Sequence, residues 1–445
     1  MTKTDLIIIG AGPGGYTAAE YAAKKGLTVT IFEDSALGGV CLNCGCIPTK
    51  ALCHDADIID AVGEAKAYAT NAESMEFALN YAPIAARKDA VIEQLRGGIE
   101  TLLSQPNITL VRARATFQDA KTILANGESY TADNIIIATG SRPKMPPIKG
   151  IDGSNVVTST ELLNVKDVPQ RLCIVGAGVI GLEFASVFNS FGSQVTVVEF
   201  LKECLPSMDS DIAKRLRKQL EKKGITFYMQ SGVTEITPTS VHFTQKGKEI
   251  AIDADLVLVA TGRAACSDNM GLENAGIQTE RGVILTDEHC ETNVKGVYAI
   301  GDVNAKMMLA HAAEYQGRHV INRILGNDDQ IRLEIVPAAV FTRPEAACVG
   351  PTEDAAKALY PDLICKKAFY RANGKALSMN ETDGLLKLLA KPDGTIIACH
   401  VLGPHAADIV QEAAALICMN ATINQLGDII HIHPTLSEIL ASAAH

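Results

Sequence analysis

Short, wholly apolar runs alternate with helical spacing along the first half of the chain. Leu6-Ile-Ile-Ile9 is a continuous apolar run of strand length. Gly10-Ala-Gly-Pro-Gly-Gly15 follows, and residues 16–25 then repeat at helical spacing. A second strand, residues 27–32, ends at Glu33. The same order returns further on. Leu172-Cys-Ile-Val175 is a strand, Gly176-Ala-Gly-Val-Ile-Gly181 a glycine turn, residues 182–191 a helix, and residues 194–198 a strand ending at Glu199. Gly10 and Gly176 lie 166 residues apart, which marks an internal duplication. Two buried strands close on the same tripeptide, at Ala138-Thr-Gly140 and Ala260-Thr-Gly262.

Helices are expected near 51–67 and 84–104, with strands returning near 108–117. Ser141-Arg-Pro-Lys-Met-Pro-Pro147 reads as a linker. Gly296-Val-Tyr-Ala-Ile-Gly-Asp302 is a further strand, ending in Gly-Asp. Past Arg332 the pattern changes. Residues 385–389, the turn Lys391-Pro-Asp-Gly-Thr395 and residues 396–402 read as a hairpin, with helices near 406–419 and 437–443. The expected fold class is therefore α/β, two Rossmann-like dinucleotide-binding domains followed by a C-terminal α+β domain.

Each glycine turn has a job for each glycine. Gly10 and Gly176 make the tight turn, Gly12 and Gly178 let backbone approach a pyrophosphate, and Gly15 and Gly181 let helix and strand pack closely. The helix N-terminus favours the phosphates, and Glu33 or Glu199 is placed to accept from ribose hydroxyls. A lone glycine fingerprint is weak; one set between strand and helix, with an acid 18 residues past Gly15, is strong. Glu199 favours NAD over NADP, because a carboxylate repels a 2′-phosphate. Lys202 nearby reads as a solvated surface lysine.

Directly after the first unit comes Gly38-Gly-Val-Cys-Leu-Asn-Cys-Gly-Cys-Ile-Pro-Thr-Lys50. Residues five apart in a regular helix have Cα atoms roughly 8.6 Å from each other, whereas a disulfide needs about 4.4–6.8 Å. If Cys41 and Cys46 pair, the backbone between them cannot be regular helix. Gly45 permits the distortion, and Pro48 suits the first turn of a helix starting after it. The stretch reads as a redox dithiol that cycles. Zinc is the weaker alternative, since metal spacing usually comes as two separated Cys/His pairs; Cys53 and His54 are the nearest further donors. Inert buried thiols are another. A dithiol beside a dinucleotide site points to electron transfer between them.

At 445 residues the chain has room for about three domains, and 47% apolar content supplies several cores. A net charge of −11 argues against nucleic acid and anionic membrane surfaces. Twelve scattered cysteines do not make a disulfide scaffold. No leader is expected ahead of Leu6, no apolar run reaches membrane-spanning length, and a cytoplasmic location is expected, where a disulfide is usually catalytic. No metal is expected.

Taken together and in order, these motifs resemble the FAD-dependent pyridine nucleotide–disulfide oxidoreductases, and above all their lipoamide-linked branch. The carriers are the Gly10–Gly15 turn, the Gly-Gly-x-Cys-x4-Cys-x3-Lys stretch, and the second turn running into Gly181-Leu-Glu183. Ala299-Ile-Gly-Asp302, Leu309-Ala-His311, Thr342-Arg-Pro-Glu345 and His433-Pro-Thr435 with Glu438 add to it. The resemblance spans essentially the whole chain. It implies a FAD-binding domain over 1–145, an NAD-binding domain over 146–265, a central region completing the FAD site over 266–334, and a dimerisation domain over 335–445.

The resemblance also implies roles. FAD would be tightly bound, one per subunit, with NAD⁺/NADH as co-substrate. Cys41 would be the thiol that exchanges with substrate and Cys46 the one against the flavin. Asp302 would bond the ribityl chain, and Lys50 would sit near the flavin paired with Glu183. Gly140, Gly262 and Ala310 would line cofactor sites, and His311 would contribute backbone rather than imidazole. His433, oriented by Glu438, would be the acid/base serving the dithiol of the other subunit, so the site would need a homodimer. Independently of the resemblance, a thiol exchanges only as thiolate, a histidine suits that proton transfer, and a carboxylate fixes its tautomer. Glu438 also fits a capping box with Thr435, and could do both; His431 reads as structural. The implied activity is oxidation of protein-bound dihydrolipoamide, with lipoyl carrier domains of 2-oxo acid dehydrogenase or glycine cleavage complexes as partners. Reduction of another disulfide, as in glutathione reductase, is one alternative. A mainly structural flavoprotein subunit of a multienzyme complex is another. Cys44, Phe341 and the proline-free Gly262-Arg-Ala-Ala265 depart from the family pattern without touching the redox core.

Overall fold

The computed structural model describes residues 1–68 and 78–445. The chain forms two compact units. The first comprises Met1–Ala51, Pro83–Lys144 and Gly262–Leu333, and the second Leu52–Ala82, Met145–Thr261 and Glu334–His445.

In the first unit a five-stranded sheet runs in the order Val297–Ala299, Asn134–Ile137, Leu6–Ile9, Val29–Phe32, Ile108–Val111, with every pair parallel. Leu6, Ile7 and Ile8 are fully buried, as a parallel strand covered on both faces requires. Helix Pro13–Lys24 covers one face and turns Ala18, Ala19 and Ala22 inward. Small residues there let the helix lie close to the sheet. The expected linker at 141–147 begins as structure: Ser141–Pro143 is a strand, paired antiparallel with Arg263–Ala265.

The second unit repeats the arrangement. Its parallel sheet runs Val156–Val157, Leu256–Val259, Arg171–Val175, Gln194–Val198, Thr226–Tyr228. In both sheets the strand before the glycine turn is central, and the strand that leads into the acid lies on the same side of it. The duplication seen in sequence is thus a duplication of topology. The unit also holds a five-stranded antiparallel sheet, Ala338–Val340, Ala346–Val349, Ile396–Leu402, Leu385–Ala390, Ile364–Phe369. Helices Ala406–Cys418 and Glu438–Ala444 pack on it through Ile409, Val410, Ala413, Ile439 and Leu440. This is the mixed α/β architecture expected.

Lys387 breaks the apolar pattern of its strand and is buried to 1% exposure. Its ammonium meets Asp209 at 2.6 Å, Glu353 at 2.7 Å and Asp211 at 2.9 Å. Asp209 also caps helix Ser210–Lys222. Burial works against the Lys387 charge, but the three carboxylates outweigh it and hold the ammonium above its ordinary range. Among the described residues no helix is long and apolar enough to cross a membrane.

Candidate active site

The two glycine turns are built alike. Gly10 and Gly176 have φ of +103° and +109°. A Cβ at either would fall 2.4 or 2.5 Å from the carbonyl oxygen of Ala138 or Ala260. A Cβ at Gly15 or Gly181 would meet the carbonyl oxygen of Gly10 or Gly176 at 1.9 or 2.1 Å. Those four glycines are required by packing. Gly178 faces open space and Gly12 meets only the Gly39 Cα, at 3.8 Å. Both are N-caps without a side-chain cap, so the first-turn N–H groups point outward. The geometry fits a pyrophosphate over each helix start.

Glu33 and Glu199 do something the sequence did not show. Glu33 Oε2 accepts the Ala11 N–H at 2.8 Å, and its Oε1 accepts the Ser35 N–H at 2.9 Å. Glu199 Oε2 accepts the Ala177 N–H at 2.6 Å, and its Oε1 the Leu201 N–H at 2.7 Å. Each buried acid clamps its own glycine turn to the segment after the strand. Every carboxylate oxygen has a second lone pair, so ribose hydroxyls remain possible partners.

The redox stretch sits on the first turn. The Gly38 N–H donates to Ala11 O at 2.9 Å. A Cβ at Gly39, whose φ is +59°, would come 2.7 Å from the Gly12 Cα. Cys41 lies on the short helix Gly39–Cys44, and helix Cys46–Ala65 starts immediately after Gly45. The second helix therefore begins at Cys46, two residues ahead of Pro48, which occupies its first turn. A Cβ at Gly45 would meet Val40 O at 2.9 Å and the Cys41 Cα at 3.3 Å. The break folds Cys46 back onto Cys41. The hydrogen-bonded Cys46 sulfur pushes the Cys41 thiol above its usual range, burial adds to this, and Lys50 pulls the other way. Tyr16 also faces this pair. Burial, with Glu314 and then Cys41 adding to it, pushes its hydroxyl up to about 12.

Asp302 lies in the 3-10 turn Gly301–Asn304. Ser141 Oγ donates to its Oδ2 at 2.5 Å, Arg263 Nε donates to Ser141 Oγ at 2.6 Å, and the Arg263 guanidinium stands 3.8 Å from the same carboxylate. Ser141 and Arg263 were missed in sequence. Each directly follows the glycine of an Ala-Thr-Gly repeat, a signal that could have found them. Gly140 has φ +71° and Gly262 φ +117°, and both fall in the first unit. Ala310 opens helix Ala310–Ile324, with His311 beside it.

His433, Glu438 and Glu183 are in the second unit. His433 Nδ1 meets Glu438 Oε1 at 2.9 Å, while Glu438 Oε2 accepts the Thr435 N–H at 2.8 Å. The Thr435 N–H, with His433 next, holds the Glu438 carboxyl below its ordinary range. Only this half of the expected capping box forms; Thr435 Oγ1 turns to Ile432 O and Ser437, and the helix begins at Glu438. His431 bridges Ile429 O and Glu412. Glu183 is 3% exposed on helix Val179–Ser190. The dithiol and Lys50 are in the other unit. Among the described residues, no three His, Cys, Asp or Glu side chains are grouped to hold a metal.

Comparison with known proteins agrees with this geometry. The pyridine nucleotide-disulphide oxidoreductase family matches residues 4–317, and its dimerisation domain matches residues 336–444. A dihydrolipoyl dehydrogenase of Geobacillus stearothermophilus is 39% identical, over 99% of this chain and 96% of its own. One from Bacillus subtilis is 38% identical, again over 99% and 96%. Among solved structures, the copper(II) complex of the HOCl-induced flavoprotein disulfide reductase RclA from Escherichia coli superposes with a TM-score of 0.88. It is 30% identical and covers 100% of this chain and 99% of its own. Paired dinucleotide turns, a cysteine pair seated on the first of them and a dimerisation domain make this chain a member of the pyridine nucleotide–disulfide oxidoreductase family, which works with FAD and NAD(P)(H).

Proposed function

We propose that the chain oxidises protein-bound dihydrolipoamide to lipoamide through Cys41 and Cys46, with FAD as the internal carrier and NAD⁺ as the acceptor. The observation that carries this reading is the seat of the redox stretch on the first glycine turn, through Gly38, Gly39, Ala11 and Gly12. It is supported by the relatives named dihydrolipoyl dehydrogenase. Gly10, Gly12, Gly15, Glu33, Gly140, Asp302 and Ala310 hold FAD. Gly176, Gly178, Gly181, Glu199 and Gly262 hold NAD. Lys50 and Glu183 tune the charge around the dithiol and the cofactor. The four-part division into 1–145, 146–265, 266–334 and 335–445 belongs to the same reading.

A substrate thiolate attacks the Cys41 sulfur of the Cys41–Cys46 disulfide, and Cys46 leaves as thiolate. The second substrate thiol attacks the sulfur bound to Cys41, which releases the lipoamide disulfide and leaves both cysteines reduced. His433 of one copy takes the proton from the substrate thiol beside the dithiol of a second copy, and Glu438 holds its Nδ1 so that Nε2 faces the thiol. FAD, held by Gly10, Gly12, Gly15 and Asp302, would supply the two-electron chemistry that links the dithiol to NAD⁺. The partners of this reading are a second copy of the chain and a lipoyl carrier domain, in the cytoplasm.

The likeness to RclA favours a second reading, the reverse flow from a reduced nicotinamide to another disulfide. Glu199 weighs against NADP there, as in sequence. An anaerobic assay separates the two: NAD⁺ reduction by dihydrolipoamide, with NADP⁺ and glutathione as controls. Turnover of free dihydrolipoamide by the isolated protein also sets aside a purely structural role. Retained flavin without lipoamide turnover would overturn the first reading.

A further inference from the structure

Glu199 and Glu33 clamp their turns identically, but the residue after each differs. Asp34 follows Glu33, and Phe200 follows Glu199. Phe200 is 77% exposed, a large apolar ring in water directly beside the acid of the second glycine turn. Its backbone is fixed on both sides. The Glu199 N–H donates to Tyr228 O at 2.9 Å, the Ser231 N–H to Glu199 O at 2.8 Å, and the Gln230 N–H to Leu201 O at 3.0 Å. Leu201 N–H is itself held by Glu199 Oε1. One edge of the ring lies along Gly232, where an added Cβ would sit 3.7 Å from Phe200 Cδ2. The rest of the ring is open.

We infer that Phe200 is a stacking platform for the adenine of the pyridine dinucleotide, which rests on the reading of the second turn as the NAD site. The acid after the second strand is the group that takes the adenosine ribose in such a unit, so the side chain following it borders the base. A flat, preorganised aromatic recognises adenine by its π face and excludes water from it. A co-substrate that comes and goes must find its place each cycle, which a preorganised surface favours. The ring does not read the 2′ position; Glu199 does that. Phe200 therefore sets affinity for the adenosine half without setting the choice between NAD and NADP.

The test uses the FAD-loaded protein and ADP-ribose, which carries the adenosine half and no nicotinamide. Phe200→Ala is expected to weaken ADP-ribose binding at least about fivefold in calorimetry, with Phe200→Tyr restoring it. Reduction by nicotinamide mononucleotide in its reduced form, which lacks adenine, is expected to be unchanged. The chain has no tryptophan, so Phe200→Trp installs a single indole whose fluorescence adenine stacking should quench. ADP-ribose that binds the parent protein and Phe200→Ala equally, with no quenching of Phe200→Trp, would overturn the inference. Failure of the parent protein to bind ADP-ribose would instead overturn the reading of the second turn as an NAD site, and the inference with it.

Discussion

Glu183 Oε1 accepts the backbone N–H of Phe341 at 3.0 Å. The carbonyl of the same residue accepts from Cys53 Sγ at 3.3 Å. Both backbone polar groups of Phe341, its N–H and its carbonyl, are thus held by side chains from two distant parts of the second unit. Removing an acceptor from a buried N–H costs about 1–3 kcal/mol. Glu183→Ala should lower the melting temperature accordingly, whereas Glu183→Gln keeps an acceptor and should melt close to the parent. If Glu183 also tunes charge around the flavin, Glu183→Gln will shift the visible absorption of the bound FAD. Equal melting of Ala and Gln variants would show that the carboxylate is held by something other than this contact.

Glu438 serves two partners with two oxygens. Glu438→Ala should reduce kcat for dihydrolipoamide by about 10²-fold, the scale of losing an oriented acid/base. It should also lower the melting temperature slightly through the lost Thr435 N–H contact. Because its carboxyl is held below the ordinary range, the Glu438 contribution to stability is present at neutral pH and above the unfolded carboxyl value. It is lost as pH falls through the lower folded value. Orientation of His433 should therefore survive at pH 5, and the pH–rate profile of the parent should show no Glu438 step there.

Lys387 predicts an acid limb in stability. Lys357, then Lys387, pulls the Glu353 carboxyl down to about 2, and Asp211 is lowered by Lys367 and Lys387. Carboxyls with depressed values stabilise the fold above their unfolded range and stop doing so as pH drops from about 4 toward 2. Melting temperature should fall steeply across that window. Lys387→Met should lose about 3–5 kcal/mol at pH 7, since the buried Asp209 is left without its cation while Asp211 and Glu353 keep only Lys367 and Lys357, and should flatten the limb. An unchanged slope in the variant would remove this cluster as its cause.

Gly39→Ala places a methyl group 2.7 Å from the Gly12 Cα at a positive φ. Overpacking of this kind costs about 1–3 kcal/mol, and here it should appear as lost FAD, read as the flavin-to-protein absorbance ratio. Cys44→Val, one residue before the helix break, should leave turnover intact. A large loss would make Cys44 a third redox thiol.

The repeated strand–glycine turn–helix–strand units and the break at Gly45 were legible because each depends on residues close in sequence. The apolar runs Leu6–Ile9 and Leu172–Val175 read as strands because a glycine turn follows each; that both lie at the centre of a parallel sheet is seen only in the fold. What stayed hidden depends on distance. Nothing near Lys387 in sequence says that Asp209, Asp211 and Glu353 converge on it, although a lysine within six buried positions was a sign of buried partners. Ser141 read as linker because its partners, Arg263 and Asp302, lie more than a hundred residues away. The early start of the helix at Cys46 and the half-made cap at Thr435 show local rules yielding to the fold around them. Pro48 is tolerated inside the first turn, and Thr435 Oγ1 finds nearer acceptors.

The contact of Gly39 with Gly12 also bears on how such a chain can change over time. Both ends of the 12–39 segment meet at one point, backbone against backbone, with the Gly38 N–H fastened to Ala11 O beside it. A residue inserted between the acid of the first unit and Gly38 would have to bulge outward, because neither terminus of that loop has room to slide. The count of residues separating the glycine fingerprint from the dithiol is therefore a closure condition. Length variation among descendants should accumulate elsewhere, in stretches whose ends are not pinned to each other.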